Sequence, residues 1–335
     1  MSSCVTISIV NFNHARYLPA CLDAVRAQSL APADVVVTDN ASSDDSVSWL
    51  RQNAGDVRLL DHRENLGYAR GHNLAFESAQ TPYVMALNCD VVLDRDFLRQ
   101  AVAAMDSDDS IGCVCGRLYK GLKGESEVLD STGLFPDRFR RFKDRDTDQL
   151  DRGQRMQIEF VFGASGSAVV FCKEMLSDVS IHGEIFDEDF FAYYEDADLA
   201  WRALRRGWKA LFVPEARGWH VHDNLSRTRS GRRDAPAVFR QMLLARNRHL
   251  CILKNESRRD LLRAAPALLA YDAALQAYLT KHSYGLAVRW PISMARLLPV
   301  MARKRAAIYD NASADVCLAD WFDRGRVRPA SSPCA

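Results

Sequence analysis

The feature that most constrains the fold is a regular alternation of strand and helix patterns over the first 115 residues. Runs of β-branched and apolar residues, typical of strands, occur at 5–10, 35–37, 57–60, 83–87 and 111–115. The run at 35–37 is apolar throughout, as expected for a strand buried on both faces. Helical patterns lie between these runs, over about 18–25, 46–53, 68–78 and 95–105. The alternation predicts an α/β fold with a Rossmann-like, mostly parallel sheet flanked by helices.

Beyond residue 115 the patterns become less regular. Residues 120–158 are charged and weakly periodic, and we expect them to form a mobile insertion beside the functional site. A helix is predicted from Glu195 to Arg206, followed by a strand over 210–213, and the pattern is helical from about 236 onward. We therefore predict an α/β domain over 1–235 and a basic, largely helical C-terminal extension over 236–335.

Composition limits the environment of the chain. Its 335 residues, 48% hydrophobic and 26% charged, are ordinary for a globular protein. Nine cysteines are scattered without a C-x-x-C pair, which argues against a disulfide framework or a zinc site and favours a reducing cytosol. The N-terminus lacks the pattern of a secretory signal, and no apolar stretch is long enough to span a bilayer. We therefore expect a cytoplasmic protein.

The charges are divided unevenly between the two parts of the chain. Residues 223–335 hold 20 Lys and Arg against 9 Asp and Glu, a net charge of +11, whereas residues 1–222 carry a net charge of −10. A basic helical segment indicates an anionic partner, and the alternative is a solvated, arginine-rich surface. Because the basic residues are not interleaved with aromatic residues, a membrane surface is favoured over nucleic acid.

An acidic run opens the predicted helix at 195 and follows an aromatic stretch over 190–194. Glu195, Asp196 and Asp198 lie within four positions of one another. Carboxylates placed this near one another repel, which raises the pKa of at least one of them. A raised pKa suits a general base. The alternative is capping, because acidic residues are favoured in a first helical turn.

Polar residues follow four successive predicted strands. Asn and Asp are common in turns, so each alone has an ordinary explanation, but in α/β sheets the carboxyl ends of parallel strands form the ligand site. The residues concerned are Asn11, Asn13, Asp39, Asn65, Asn88 and Asp90.

The chain has no Gly-rich phosphate loop of the P-loop or dinucleotide type. A bound diphosphate would therefore need another counter-charge. Asp90 could ligate a hard divalent cation, and His220, in the sequence Trp219-His220-Val221-His222, could add a nitrogen ligand.

Taken in order, these motifs resemble those of the family 2 glycosyltransferases of GT-A fold, particularly the rhamnosyltransferase-like branch that builds bacterial surface polysaccharides. The resemblance covers roughly 4–255. It rests on 8–13, 38–44, 64–73, 87–90, 163–164, 195–199 with Arg202 and Gly207, and Pro214 six positions before His220.

The resemblance implies a role for each site residue. Asp39 accepts from a pyrimidine base, Asp90 is the metal ligand of the D-x-D position, and Asp196 is the base, with Glu195 and Asp198 around it. His220 lies near the metal and the diphosphate. The donor-binding residues are Val10, Asn11, Asn13, Asp39, Asn65, Gly67, Asn73 and Asn88. The sequence departs from the family pattern at the D-x-D position, which reads Asn88-Cys89-Asp90 and assures only one carboxylate.

The implied activity is inverting, metal-assisted sugar transfer with Mg²⁺ or Mn²⁺. The donor is a nucleotide-diphospho-sugar, with dTDP-rhamnose favoured and UDP-hexoses or galactofuranose donors open. The acceptor is a glycan or a lipid-diphosphate-linked glycan at the inner face of the plasma membrane, where the basic extension would dock. The alternatives are a relative that binds nucleotide-sugar or glycan without catalysis, and a nucleotidyltransferase, which would need a basic Gly-rich loop after the first strand.

Overall fold

A computed structural model describes residues 4–222, 235–310, 321–322 and 328–329. The predicted strand and helix alternation is confirmed in the first half of the chain. Its elements are β1 (Val5–Asn11), α1 (Leu18–Arg26), β2 (Asp34–Asp39), α2 (Ser46–Asn53), β3 (Arg58–Asp61), α3 (Gly67–Ser78), β4 (Tyr83–Asn88), β5 (Val91–Leu93), α4 (Phe97–Met105) and β6 (Ile111–Lys120).

The second half adds short strands, the acidic helix and three long helices. Its elements are β7 (Leu129–Ser131), β8 (Leu134–Pro136), β9 (Phe142–Asp144), β10 (Glu159–Val161), β11 (Ala168–Cys172), α5 (Lys173–Val179), α6 (Glu195–Arg205), β12 (Lys209–His220), α7 (Ala235–Asn255), α8 (Arg258–His282), α9 (Tyr284–Asp310) and β13 (Arg328–Pro329).

One mixed sheet organises the molecule, with the strand order β13-β10-β12-β6-β11-β4-β1-β2-β3. The strands β3, β2, β1 and β4 are parallel to one another, and β6 is parallel to β12. The strand β11 runs antiparallel between β4 and β6. The carboxyl ends of β1, β2 and β4 therefore meet at one edge, and the amino end of β11 joins them there.

Strand residues alternate between two apolar layers, because successive side chains of a strand point to opposite faces. Met85 and Leu87 of β4 pack with α1 and α4, whereas Val84 and Ala86 pack with α3, α5 and α6. The sheet is thus covered on both faces, which explains why its central strands are almost continuously apolar in sequence.

The prediction of a mobile insertion over 120–158 is wrong. The segment contains β7, β8 and β9, and it buries charged residues in pairs. Arg117 of β6 contacts Asp151 at 2.9 Å, and Arg145 contacts Glu159 at 2.5 Å. A segment held by ion pairs and short paired strands has little hydrophobic periodicity, so its regular structure is not visible in the sequence pattern.

The C-terminal helices pack directly on the sheet domain. Leu250 and Cys251 of α7, and Met301 of α9, share an apolar cluster with Phe162 and Trp201. The strand β13 pairs with β10 at the sheet edge. The domain boundary at 235/236 stays a prediction, and residues 223–234 on its N-terminal side lie outside the described residues.

Within the described ranges, no helix combines the length and apolarity needed to cross a membrane. The seven cysteines found there are free thiols, and Cys317 and Cys334 lie outside those ranges.

Candidate active site

The strand ends bring the predicted donor residues to one edge of the sheet. Asn11 is level with Asp39 on β2, and Val10 is level with Asn88 on β4. Asp39 is fully buried, and both of its carboxylate oxygens are engaged. They accept from Asn11 Nδ2 at 2.7 Å and from the backbone N and Oγ of Ser42, each at 2.8 Å. In this structure Asp39 holds the loop after β2, and its contact with a base stays a prediction.

Two asparagines close this corner of the site. Asn13 has a φ of 57°, and its Oδ1 accepts from Ser43 N at 2.7 Å. Asn65 Oδ1 accepts from Gly67 N at 2.9 Å at the start of α3. Gly67 has a φ of 80°, and a Cβ on it would lie 2.5 Å from the carbonyl oxygen of Phe191. Only glycine fits there, because both the backbone conformation and the close approach exclude a side chain.

The side chain of Asn73 contacts protein instead of opening into the site. Its Oδ1 accepts from Phe186 N at 2.9 Å, and its Nδ2 donates to Phe186 O at 2.8 Å and to Glu188 at 3.1 Å. The expectation of a donor-binding amide at Asn73 therefore needs correction. Asn73 anchors the segment 186–188 on α3, because both ends of its buried amide already have partners.

A histidine joins two carboxylates at the far side of the same edge. His220 ends β12 and pairs with Val91 of β5, which places it beside Asp90. Its Nε2 lies 3.2 Å from Asp90 Oδ1, and its Nδ1 lies 2.8 Å from Asp130 Oδ2. His222 Nε2 lies 2.6 Å from Asp130 Oδ1. The predicted pair Asp90 and His220 is thus in direct contact, and the structure adds Asp130 and His222 to it.

Charge and burial act against each other in this cluster. Burial lowers the pKa of His220, but hydrogen bonds and charges from Asp130 and Asp90 outweigh burial and raise that pKa to about 9. Burial likewise raises the pKa of Asp90, yet His220 outweighs it and holds the pKa below its usual value. A positive charge is therefore stabilised between the two carboxylates.

The donor set fits a divalent cation. Asp130, His220 and His222 each offer a ligand atom, and these atoms lie within 4.8 Å of one another. Carboxylate oxygens suit Mg²⁺ and Mn²⁺, and imidazole nitrogen is a common ligand of transition metals. Asp90 lies at Nε2, on the other side of the His220 ring, and its role as a metal ligand stays a prediction.

Asp196 occupies the start of α6. Its Oδ1 accepts from Ala197 N at 2.7 Å, and its Oδ2 accepts from Gly166 N at 3.2 Å. Burial and then the charge of Asp144 raise the pKa of Asp196 to about 6, against the lowering effect of these backbone bonds. The side chain remains partly exposed. A carboxylate with these properties suits general base catalysis near neutral pH.

Two carboxyl groups stand close to Asp196. Glu195 is buried, and burial followed by the charge of Asp196 raises its pKa well above the usual value. Asp144, at the end of β9, has its pKa raised by burial above all, with a contribution from Asp130. Among the described residues, Glu195 Oε2 and Asp144 Oδ1 have no hydrogen-bond partner. Asp144 thus interacts with both Asp130 and Asp196, which joins the two halves of the site.

Asp198 does not belong to this group, which corrects the prediction. It is fully buried on the opposite side of α6, where it contacts Arg202 at 2.9 Å, Lys254 at 2.8 Å and Asn255 at 2.7 Å. Positions 196 and 198 project about 200° apart on a helix of 3.6 residues per turn, so the two carboxylates face different surroundings. Burial and then the charge of Asp144, a residue of the insertion, raise the pKa of Asp196.

Sequence reasoning missed Asp130 and Asp144 because both lie in the segment taken for a mobile insertion. Nothing in their spacing marks them, since β7 and β9 are only three residues each. His222 was visible as the second histidine of Trp219-His220-Val221-His222. Asp90 contacts His220, and Asp144 interacts with both Asp130 and Asp196, so these groups are neighbours. That they line one cleft together with Asp39 stays a prediction.

Comparison with known proteins finds partial matches of two kinds. The teichoic acid poly(glycerol phosphate) polymerase of Staphylococcus epidermidis is 29% identical over 90 residues, which are 26% of this chain and 12% of that protein. Poly-beta-1,6-N-acetyl-D-glucosamine synthase of Staphylococcus aureus is 22% identical over 222 residues, which are 64% of this chain and 49% of that protein. The chain thus spans about half the length of this curated relative.

Two solved structures are similar in fold. One is the mannosyltransferase PcManGT from Pyrobaculum calidifontis in complex with GDP-Man and Mn²⁺, with a TM-score of 0.52 and 18% identity, covering 93% of this chain and 86% of that one. The other is GalNAc-T7 with UDP, GalNAc and Mn²⁺, with a TM-score of 0.56 and 14% identity, covering 76% and 48%. These likenesses show the fold.

The sequence itself shows the family. Residues 6–176, about half of the chain, match the family model described as glycosyl transferase family 2. This stretch includes the ends of β1, β2 and β4 with Asp39 and Asp90. The chain is therefore a glycosyltransferase of family 2, built on the GT-A fold.

Proposed function

We propose that this protein is an inverting glycosyltransferase in which Asp196 is the general base. The observation that carries the proposal is the partly exposed carboxylate of Asp196, with its pKa raised to about 6. It interacts with Asp144, whose charge also acts on Asp130, the partner of His220. General bases work best when their pKa lies near the operating pH. Burial and then the charge of Asp196 raise the pKa of Glu195 well above its usual value, which favours the neutral form of Glu195 beside Asp196.

The transfer needs one proton acceptor and one route for the leaving charge. Asp196 takes the proton from an acceptor hydroxyl, and the hydroxyl oxygen attacks the anomeric carbon from the face opposite the diphosphate. The bond from that carbon to the diphosphate oxygen breaks, and the nucleoside diphosphate leaves with the electron pair. Asp90, Asp130, His220 and His222 would hold Mg²⁺ or Mn²⁺, whose chemistry when bound is to neutralise the leaving diphosphate.

The favoured donor is dTDP-rhamnose, on the resemblance to the rhamnosyltransferase-like branch, and a UDP-sugar is the alternative. The solved neighbours hold UDP or GDP-Man, so the fold accommodates different nucleotides. The acceptor is a glycan or lipid-diphosphate-linked glycan in bacterial surface polysaccharide synthesis, which agrees with a polysaccharide synthase among the relatives. Donor contacts are assigned to Val10, Asn11, Asn13, Asp39, Asn65, Gly67 and Asn88.

The place of action is the cytoplasmic face of an anionic membrane. The outer surfaces of α8 and α9 combine exposed apolar residues, such as Leu262 and Leu269 at 77% and 68% exposure, with exposed arginines. Asp272 is the only acidic residue from 261 to 309, and Arg248 contacts it at 2.7 Å. A basic surface with apolar side chains suits the interface of an anionic bilayer.

The test is release of nucleoside diphosphate from a panel of nucleotide-sugars by wild type and by Asp196→Asn. The variant should lose transfer by about 10²-fold or more while its donor-induced thermal shift is retained. Asp148→Asn, at an exposed carboxylate of the insertion, serves as the control and should keep its activity. Turnover of Asp196→Asn within about tenfold of wild type would remove Asp196 as the base. A donor-induced shift with no turnover by wild type would favour the non-catalytic binding relative.

A further inference from the structure

The segment that leads into the base helix has an unusual backbone. Phe191, Tyr193 and Tyr194 have φ values of 66°, 70° and 74°, although none of them is glycine. Left-handed conformations are unfavourable for residues with bulky side chains and persist only where the surroundings impose them. Something outside the segment must therefore hold it.

Asn247, on the fourth turn of α7, supplies that support. It is fully buried, and its Nδ2 lies 2.9 Å from Phe190 O, 2.9 Å from Ala192 O and 2.7 Å from Tyr193 O. Arg246 Nε donates to Asn247 Oδ1 at 2.9 Å, which fixes the amide with its nitrogen toward the carbonyl groups. One side chain thus fixes the direction of three carbonyls within four residues.

The same segment carries the starts of two functional helices. Phe191 O accepts from Ala69 N at 3.2 Å in the first turn of α3, next to Gly67. Tyr194 O accepts from Asp198 N at 2.9 Å, which is the first backbone bond of α6. The conformation of 190–194 therefore sets where the donor side of the cleft at α3 lies relative to Asp196 on α6.

We propose that Asn247 is a positioning residue for sugar transfer, which holds the segment 190–194 so that the base on α6 and the donor corner on α3 keep their relative placement. The proposal rests on the proposed function for its catalytic consequence. It also assigns a role in catalysis to the C-terminal helices, because α7 is then part of the catalytic domain and not an extension of it.

The experiment compares Asn247→Ala and Asn247→Ser with Leu250→Ala in the full chain. Leu250 is fully buried one turn further along α7, in an apolar cluster that also contains Phe190. Its variant therefore loses packing beside the segment without losing these hydrogen bonds. Two experiments are done on folded protein. Steady-state kinetics gives kcat and donor KM for transfer, and hydrogen exchange is measured at the amides of Ala69 and Asp198.

We expect Asn247→Ala to lower kcat by at least about tenfold with a smaller change in donor KM, because small misplacements of reacting groups are costly. Asn247→Ser keeps a single hydroxyl donor and should fall between that variant and wild type, which also covers the case that Asn247→Ala fails to fold. Exchange at both amides should accelerate in the Asn247 variants and stay near wild type in Leu250→Ala.

The proposal would be overturned if Asn247→Ser and Leu250→Ala had equal kcat. It would also be overturned if these variants had equal hydrogen exchange at the amides of Ala69 and Asp198. If wild type transfers no sugar, while exchange at both amides still responds to Asn247 alone, the proposed function fails and the positioning of the two helix starts stands.

Discussion

Asp196 gains its chemistry from residues that are remote in the sequence. Burial and Asp144 raise its pKa to about 6, and the backbone amides of Gly166 and Ala197 orient its oxygens. A base acts in its deprotonated form, so the transfer rate should fall as the pH decreases through about 6. The pH dependence of kcat/KM measures this. In Asp144→Asn the lower limb should move to lower pH, and an unchanged limb would contradict the role of Asp144.

The same shift affects stability. A carboxyl group whose folded pKa is raised makes the folded state bind protons more tightly, so its protonated form stabilises the fold at low pH and its ionised form costs stability above about 6. Asp196→Asn should therefore raise the melting temperature relative to wild type at pH 8, and that advantage should shrink toward pH 4. Thermal unfolding of both proteins across pH measures the difference. A constant difference would argue against a raised pKa of Asp196 in the folded state.

Asp130 contacts both histidines of the cluster, so its removal should weaken binding of a cation. Partners that orient metal-binding histidines, and ligands themselves, typically change metal affinity by about 10–100-fold when mutated. Titration of Mn²⁺ into Asp130→Asn should show a loss of that size, and Asp90→Ala should show a comparable loss. Asp148→Asn is the control, since its carboxylate lies on the exposed surface and contacts Lys120. Wild-type affinity in Asp130→Asn would exclude Asp130 from the metal site.

At the scale of elements, the helix α6 presents two different polar faces. Asp196 contacts the backbone of Gly166, whereas Asp198 faces α7, where Lys254 lies fully buried. Lys254 Nζ is 2.8 Å from Asp198 and 2.5 Å from Asp187, and Asn255 donates to Asp198. Because these carboxylates have no access to solvent, α7 is needed to neutralise them.

Lys254→Met should therefore reduce the free energy of unfolding by about 3–5 kcal/mol, since it removes a buried positive charge that Asp187 and Asp198 share. Each carboxylate then keeps a single cation, Lys304 for Asp187 and Arg202 for Asp198. Denaturant unfolding measures the loss. The double change Lys254→Met with Asp198→Asn should recover part of it, because one of the stranded charges is then removed. The matched control is Lys281→Met at the exposed end of α8, expected within about 0.5 kcal/mol of wild type. A Lys254→Met protein as stable as that control would show that the network contributes little.

At the scale of the whole molecule, the long C-terminal helices divide their surface between two tasks. The helix α7 is buried against α6, and α9 reaches the same region through Lys304, which contacts Asp187 at 2.6 Å and Asp189 at 2.8 Å. The outer surfaces of α8 and α9 expose leucine, tyrosine and arginine. The charge excess of this part of the chain is therefore spread between internal ion pairs and an exposed surface.

The exposed surface should hold the protein on anionic vesicles at low salt, with binding weakened as salt is added. Changing Leu262 and Leu269 together to Asp should abolish flotation, because it places negative charge on the docking face. Leu150→Asp, at an exposed leucine of the insertion, should float like wild type. Equal flotation of the double variant and wild type, or equal binding to zwitterionic vesicles, would contradict the docking surface.

The site was only partly predictable from the sequence. Asp90 and His220 were found because each stands in a recognisable motif, and they are in contact. Asp130 and Asp144 were not found, because two three-residue strands in a charged segment carry no periodic signal. Asp198 was placed with Asp196 because it is close in sequence, yet helical geometry directs it to Lys254.

The sequence by itself determined the layered α/β fold and the polar strand ends, because periodicity and local turn chemistry act between neighbouring residues. Only the tertiary structure decided which carboxylates face each other: Asp144 beside Asp196, Asp130 beside His220, and Asp198 beside Lys254. The reason is physical. Burial and charge act through space, so the pKa of a side chain depends on partners tens of residues away that no local pattern connects to it.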